Sequence, residues 1–226
     1  TCALPILAWP ADEVVLRPRA LGFGTPDEHL AFSKADVVIA FFGFNESFKG
    51  PAGLEQFKAD LDAWIVHTQQ QNYSGKGAPR VVLVSPTPAE DPMAPSGSNR
   101  PLASSLNVNL GLYTQAIQQT AEKRRAIFVD LFKDAAPPNT AVVRTTNGVH
   151  LNEAGDAEFA SRLVGYLWDF DPPHTPQLIA GHLASQPPKA LLSAIDDKNF
   201  HWYHRYRIVD SYYVYGGRAD LKFADG

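Results

Sequence analysis

Two short segments carry the residue types that acyl transfer needs. The first is Gly43-Phe44-Asn45-Glu46-Ser47, where the apolar run Asp36–Phe42 ends. A tetrahedral intermediate puts negative charge on a former carbonyl oxygen, and fixed donors must meet it at about 3 Å. A glycine lets the backbone approach closely, and the Asn45 amide adds side-chain N–H groups. The second segment is Thr146-Asn147-Gly148-Val149-His150-Leu151-Asn152, directly ahead of a helical pattern. A histidine just before a helix feels the partial positive charge of the helix end, which disfavours imidazolium and leaves a ring nitrogen to accept a proton. Taken singly, each motif also reads as ordinary structure. Gly and Asn are common turn residues, and a histidine in a loop more often packs than reacts. Their pairing at two matching strand ends points to an oxyanion-binding loop and a general base. Ser47 and Ser85 are the serines nearest that rim, and Ser47 reads better as a cap for the next segment than as a nucleophile.

These segments need a frame. Asp36–Phe42, Arg80–Ser85 and Ala126–Phe132 are continuous apolar runs with β-branched residues, as in strands buried on both faces. Between them lie helical patterns. Leu54, Phe57, Leu61, Trp64 and Ile65 share one face over Leu54–Gln70, and Leu110, Tyr113, Ile117 and Ala121 do so over Asn107–Arg125. Asn152 can cap a third helix, with Glu153 and Asp156 in its first turn and Phe159, Leu163 and Leu167 on its core face. This alternation predicts an α/β fold, a parallel sheet with helices on both faces. Sites in such sheets form outside the carboxyl ends of the strands, where Gly43–Ser47, Ser85–Pro88 and Thr145–His150 would fall. Glu90–Ser105 reads as a long surface loop.

Gly43-Phe44-Asn45-Glu46 resembles the Gly-x-Asn-Asp/Glu element of the SGNH, or GDSL-type, hydrolases. Asn147–Asn152 resembles their Asp-x-x-His-Leu element. Pro5–Asp12 resembles an earlier element whose glycine donates a backbone N–H. The resemblance runs in order and spacing through most of Ala8–Trp168. It is nearest to GDSL-like proteins of planctomycete-type bacteria, and there it extends through Lys198–Gly217. It implies a flavodoxin-like three-layer α/β/α fold and hydrolysis of small-molecule or polysaccharide esters, acetyl esters included, without cofactor or metal. It assigns the oxyanion donors to Asn45 and the backbone of Ala11, the base to His150, and the shape of the loop to Gly43.

The departures from that pattern carry weight. No Gly-Asp-Ser element occurs in these residues. The nucleophile is therefore expected upstream of Thr1, with the domain incomplete at its amino terminus and the 226 residues inactive alone. Ala11 stands where the family has glycine; its N–H survives. Asn147 stands where the acid stands. An amide oxygen can accept from imidazole but adds no charge, and the same exchange in a serine-protease triad costs about 10⁴ in rate. Asn147, a backbone carbonyl and Glu46 are all open as the group that orients the ring. These departures also admit a catalytically inactive relative that binds carbohydrate or protein on the same rim.

Composition narrows the classes. Net charge is −4 and 19% of residues are charged, so the basic face of a nucleic-acid binder is not expected. No apolar run is long enough to span a bilayer, and no signal-peptide pattern is present, which leaves a secreted or periplasmic home as an expectation without a sequence mark. Cys2 is the single cysteine, so no internal disulfide or cysteine zinc site is expected. No Gly-rich phosphate loop follows the strands, which argues against a nucleotide binder. Residues 1–170 read as the hydrolase-like domain and 171–226 as a Pro-rich linker with an aromatic-rich segment. In that segment His201 and His204 sit beside Trp202, Tyr203, Arg205, Tyr206 and Arg207. It reads as packing against the domain, or as a sugar- or aryl-binding surface.

Overall fold

The computed structural model describes residues 12–16, 24–91, 103–133, 143–168 and 189–206. In chain order these form α1 (Pro26–Phe32), β1 (Val37–Phe41), a 3₁₀ stretch (Glu46–Gly53), α2 (Leu54–Gln69), β2 (Arg80–Val84), α3 (Ala103–Arg124), β3 (Ile127–Val129), α4 (Glu153–Trp168) and α5 (Lys189–Tyr206). The chain divides into two compact units, Thr1–Arg17 with Pro26–Pro172, and Pro18–Thr25 with Pro173–Gly226.

In the first unit the three strands form one parallel sheet in the order β1-β2-β3, with Val38 opposite Val81 and Val82 opposite Ile127. Parallel neighbours need a crossover, and α2 and α3 supply them. Successive strand residues point to opposite faces, so the β-branched runs feed two cores. On one face Ala40, Val81 and Leu83 pack with Phe57, Leu61 and Ile65 of α2 and Tyr113, Ile117 and Ala121 of α3. On the other, Val82, Val84 and Val129 pack with Leu131 and Phe159, and Leu163 and Leu167 of α4 lie against them. Full burial of one such side chain stabilises by about 1.5–3 kcal/mol. The result is a three-layer α/β arrangement, as the alternation of patterns predicts.

A third cluster sits where the strands end. Ala89, Ala103 and Leu110 are buried together, with Phe44, Leu106 and Phe132 packed against them. Phe44, Ala89 and Phe132 come from the segments leaving β1, β2 and β3, so one apolar floor fixes all three exits.

Three elements differ from the sequence reading. β1 is not buried on both faces: Val37 and Phe41 are 37% and 63% exposed, because β1 is the edge of the described sheet. α3 starts at Ala103 rather than Asn107, because the Asp91 carboxylate accepts from the Ala103 N–H at 2.8 Å and caps the early start. α1 carries no apolar stripe and buries no residue. It is held through Asp27, which bonds His67 of α2 at 2.7 Å and the Tyr73 hydroxyl.

In the second unit α5 is a helix that takes in part of the aromatic-rich segment. Residues 193–201 along it are exposed, Phe200 at 57%, and Phe200 lies edge-on to His201.

Candidate active site

The loop after β1 is built around one carboxylate. Gly43 turns the chain at φ +101°, a conformation that favours glycine. A Cβ there would sit 3.0 Å from Ile117 Cδ1 of α3. Its N–H donates to Glu46 Oε2 and the Val14 N–H donates to Glu46 Oε1, each at 2.9 Å. Glu46 is 4% exposed, so these two donors satisfy a buried acceptor. Asn45 is half-buried, and its Nδ2 donates to the Asp12 carbonyl at 2.9 Å. Lys49 adds an ion pair to Glu13 at 2.7 Å. Residues 12–14 are thus tied to the loop by bonds from three consecutive positions. An amide nitrogen carries two hydrogens; the bond to Asp12 holds one and aims the other. Tyr113 supports the loop from below, donating its hydroxyl to the Gly50 carbonyl at 3.0 Å, and burial pushes its phenol pKa up.

The histidine loop is closed by short-range bonds. Thr145 and Leu151 form an antiparallel bridge, and the Thr146 N–H donates to the His150 carbonyl at 2.8 Å. Gly148 takes φ +92° at the tip. Asn152 does what its position predicts: its Oδ1 accepts from the Gly155 N–H at 3.0 Å and starts α4. Its Nδ2 also holds the Val143 carbonyl at 2.8 Å. His150 is exposed. Its Nδ1 lies 2.9 Å from Asn147 Nδ2 and 3.1 Å from Asn147 Oδ1. Of the three candidates for orienting the ring, Asn147 is the one in contact. Glu46 is committed to its two backbone donors.

Glu90 and Arg144 hold this loop to the sheet, and neither stood out in the sequence. The Glu90 N–H donates to the Gly148 carbonyl at 2.8 Å. Its carboxylate accepts from the Thr145 hydroxyl at 2.8 Å and the Arg144 N–H at 3.0 Å. The buried Arg144 guanidinium reaches Glu158 of α4 at 2.5 Å, and Arg162 reaches the same carboxylate at 2.6 Å. The chain leaving β2, the histidine loop and α4 are therefore one hydrogen-bonded unit. Glu90 hides in a proline-rich stretch, and its partners lie |i−j| = 54 and 55 away, beyond any local pattern.

Both candidate serines are buried and hydrogen-bonded within the fold. Ser47 is buried and its hydroxyl donates to the Phe44 carbonyl at 2.6 Å, so it caps no following segment. Ser85 is 1% exposed; its Oγ donates to the Pro86 carbonyl at 3.1 Å and accepts from the N–H groups of Leu131 and Phe132 at 2.8 and 3.0 Å. Ala11 lies outside the described residues. Asn45 lies just past β1, and the loop of His150 is tied through Gly148 to Glu90 in the segment leaving β2; the two side chains are not hydrogen-bonded to each other. Among the described residues no group of three or more His, Cys, Asp or Glu side chains is placed to hold a metal ion. No helix there is long and apolar enough to cross a membrane.

The model of the GDSL-like lipase/acylhydrolase family matches residues 7–157. No curated protein matches the chain. Among solved structures, a variant of Axe2, an acetyl-xylooligosaccharide esterase from Geobacillus, is 19% identical with a TM-score of 0.45, covering 64% of each chain. A lipase/acylhydrolase from Enterococcus faecalis is 20% identical with a TM-score of 0.42, covering 59% of this chain and 61% of that one. An aryl esterase from M. smegmatis is 18% identical with a TM-score of 0.45, covering 63% and 65%. The chain thus spans less than two thirds of the length of these esterases. By its sequence match over residues 7–157, the chain belongs to the GDSL-like lipase/acylhydrolase family.

Proposed function

We propose that this protein hydrolyses esters with small acyl groups, acetyl esters of polysaccharides included, through a serine upstream of Thr1. That serine attacks the ester carbonyl carbon while His150 Nε2 takes its proton. The Asn45 amide and the Ala11 N–H meet the oxyanion. Collapse expels the alcohol, which takes the proton back from His150, and water then releases the acid by the same steps. Gly43 shapes the donor loop, and Asn147 positions the ring. The carrying observation is the bond from Asn45 Nδ2 to the Asp12 carbonyl, which draws the residue after Ala11 against the Asn45 side chain. A second reading, a non-catalytic relative that binds carbohydrate or protein on this rim, is favoured by the amide of Asn147 beside the ring.

The test is hydrolysis of p-nitrophenyl acetate by protein made from the complete reading frame. Replacing His150→Ala is expected to lower turnover by up to about 10², and Asn45→Ala by about 10²–10³ in kcat. Folded protein whose turnover is unchanged by His150→Ala is no histidine-dependent esterase. Folded protein with no turnover points to the binding relative.

A further inference from the structure

We propose that Asn147 is a positioning residue that holds His150 in the tautomer bearing its proton on Nε2, which withholds the base from the nucleophile. The inference rests on the reading of His150 as a base. Asn147 Oδ1 accepts from the backbone N–H groups of His150 at 2.9 Å and Val149 at 3.2 Å. These donors fix which end of the amide is oxygen, because a flipped amide would aim N–H at N–H. With the oxygen so committed, the amide nitrogen is the nearer partner of the ring, at 2.9 Å from Nδ1 against 3.1 Å for the oxygen. An amide nitrogen donates and does not accept, so it must meet a lone pair on Nδ1. A neutral imidazole with its lone pair on Nδ1 carries its one proton on Nε2.

The consequence follows from which nitrogen is left. Nδ1 is engaged by Asn147, so Nε2 is the nitrogen available to a nucleophile. With its proton in place, Nε2 cannot accept another without the ring changing tautomer. A carboxylate at residue 147 has acceptors only, and selects the opposite form, with the proton on Nδ1 and Nε2 free. The rate then falls with the fraction of protein in the competent tautomer. Asn147→Asp keeps an acceptor for both backbone N–H groups.

The experiment is nitrogen-15 NMR of protein labelled in the histidine rings, at a pH where the ring is neutral. The His150 signals are identified by their loss in His150→Ala. The proton is expected on Nε2 in the native protein and on Nδ1 in Asn147→Asp. A native ring with its proton on Nδ1 overturns the proposal whatever the hydrolytic activity. The kinetic arm uses the complete reading frame and p-nitrophenyl acetate. There Asn147→Asp is expected to raise kcat by at least about 10², and a kcat equal to or below the native value contradicts the withheld base. Absence of turnover in both proteins removes the esterase reading, and the NMR result still decides the tautomer.

Discussion

At the scale of single residues, the Gly43–Ser47 loop depends on a carboxylate that never touches substrate in the proposed chemistry. Glu46 accepts from Gly43 and Val14 and is 4% exposed. Glu46→Gln keeps the shape and turns one acceptor into a donor facing a donor. Leaving a buried N–H unpaired costs about 1–3 kcal/mol, so the variant is expected to lose that much in urea unfolding, with a matching loss of ester hydrolysis. Ser85→Ala strands the Leu131 N–H, while the Phe132 N–H keeps the Asp130 carboxylate at 3.0 Å, and the same range applies. Its kcat should hold while its stability falls; a loss of several orders in kcat from folded Ser85→Ala would make Ser85 the nucleophile after all. Gly43, Asn45, Asn147 and His150 stood out in the sequence as candidates because their residue types suit the proposed chemistry. The roles of Glu46 and Ser85 were not, because they lie in bonds to Val14 and Leu131, |i−j| = 32 and 46 away. A sequence shows a serine near a strand end; only the fold shows that its oxygen is already taken.

At the scale of elements, periodicity recovered three strands and three helices because each buries a stripe against a sheet face. It missed α1, which buries nothing, and the early start of α3, capped from Asp91 across a loop. It also could not show how α2 and α3 are joined outside the core. Asp62 of α2 accepts from Arg124 Nε at 2.6 Å and pairs with Lys123 at 3.0 Å. Chiefly the Arg124 hydrogen bond holds the Asp62 carboxyl down to about 2, below the ordinary carboxylate range. A folded-state pKa below the unfolded one stabilises fully above the ordinary carboxylate range, and that contribution is lost as pH falls toward the folded value. Solvent screening at this partly open pair limits it to about 1 kcal/mol. Asp62→Asn is therefore expected to unfold at lower urea than the native chain at neutral pH, with the gap closing as the pH approaches 2. A gap of constant size over that range would place the effect in packing and not in charge.

At the scale of the whole molecule, the proposed chemistry draws its base and amide donor from two loops of the described residues, those of His150 and Asn45, and both candidate serines, Ser47 and Ser85, are internally bonded. The edge of β1 has no strand beside it among the described residues, and Phe41 on it is 63% exposed. The proposed chemistry expects the strand carrying the nucleophile to pair along that edge. A fluorophosphonate probe tests this directly, since a base-activated serine forms a phosphorus–oxygen bond and releases fluoride. Protein from the complete reading frame should be labelled on a serine preceding Thr1, while Thr1–Gly226 alone should take no label. His150→Ala in the complete protein should react more slowly by up to about 10², what is left of a base's contribution when Asn147 withholds it. An adduct mapped to any serine within Thr1–Gly226 would overturn the upstream assignment and leave the rim itself to supply the nucleophile. Labelling upstream that ignores His150→Ala would instead detach the histidine loop from the chemistry, whatever its resemblance to the family element.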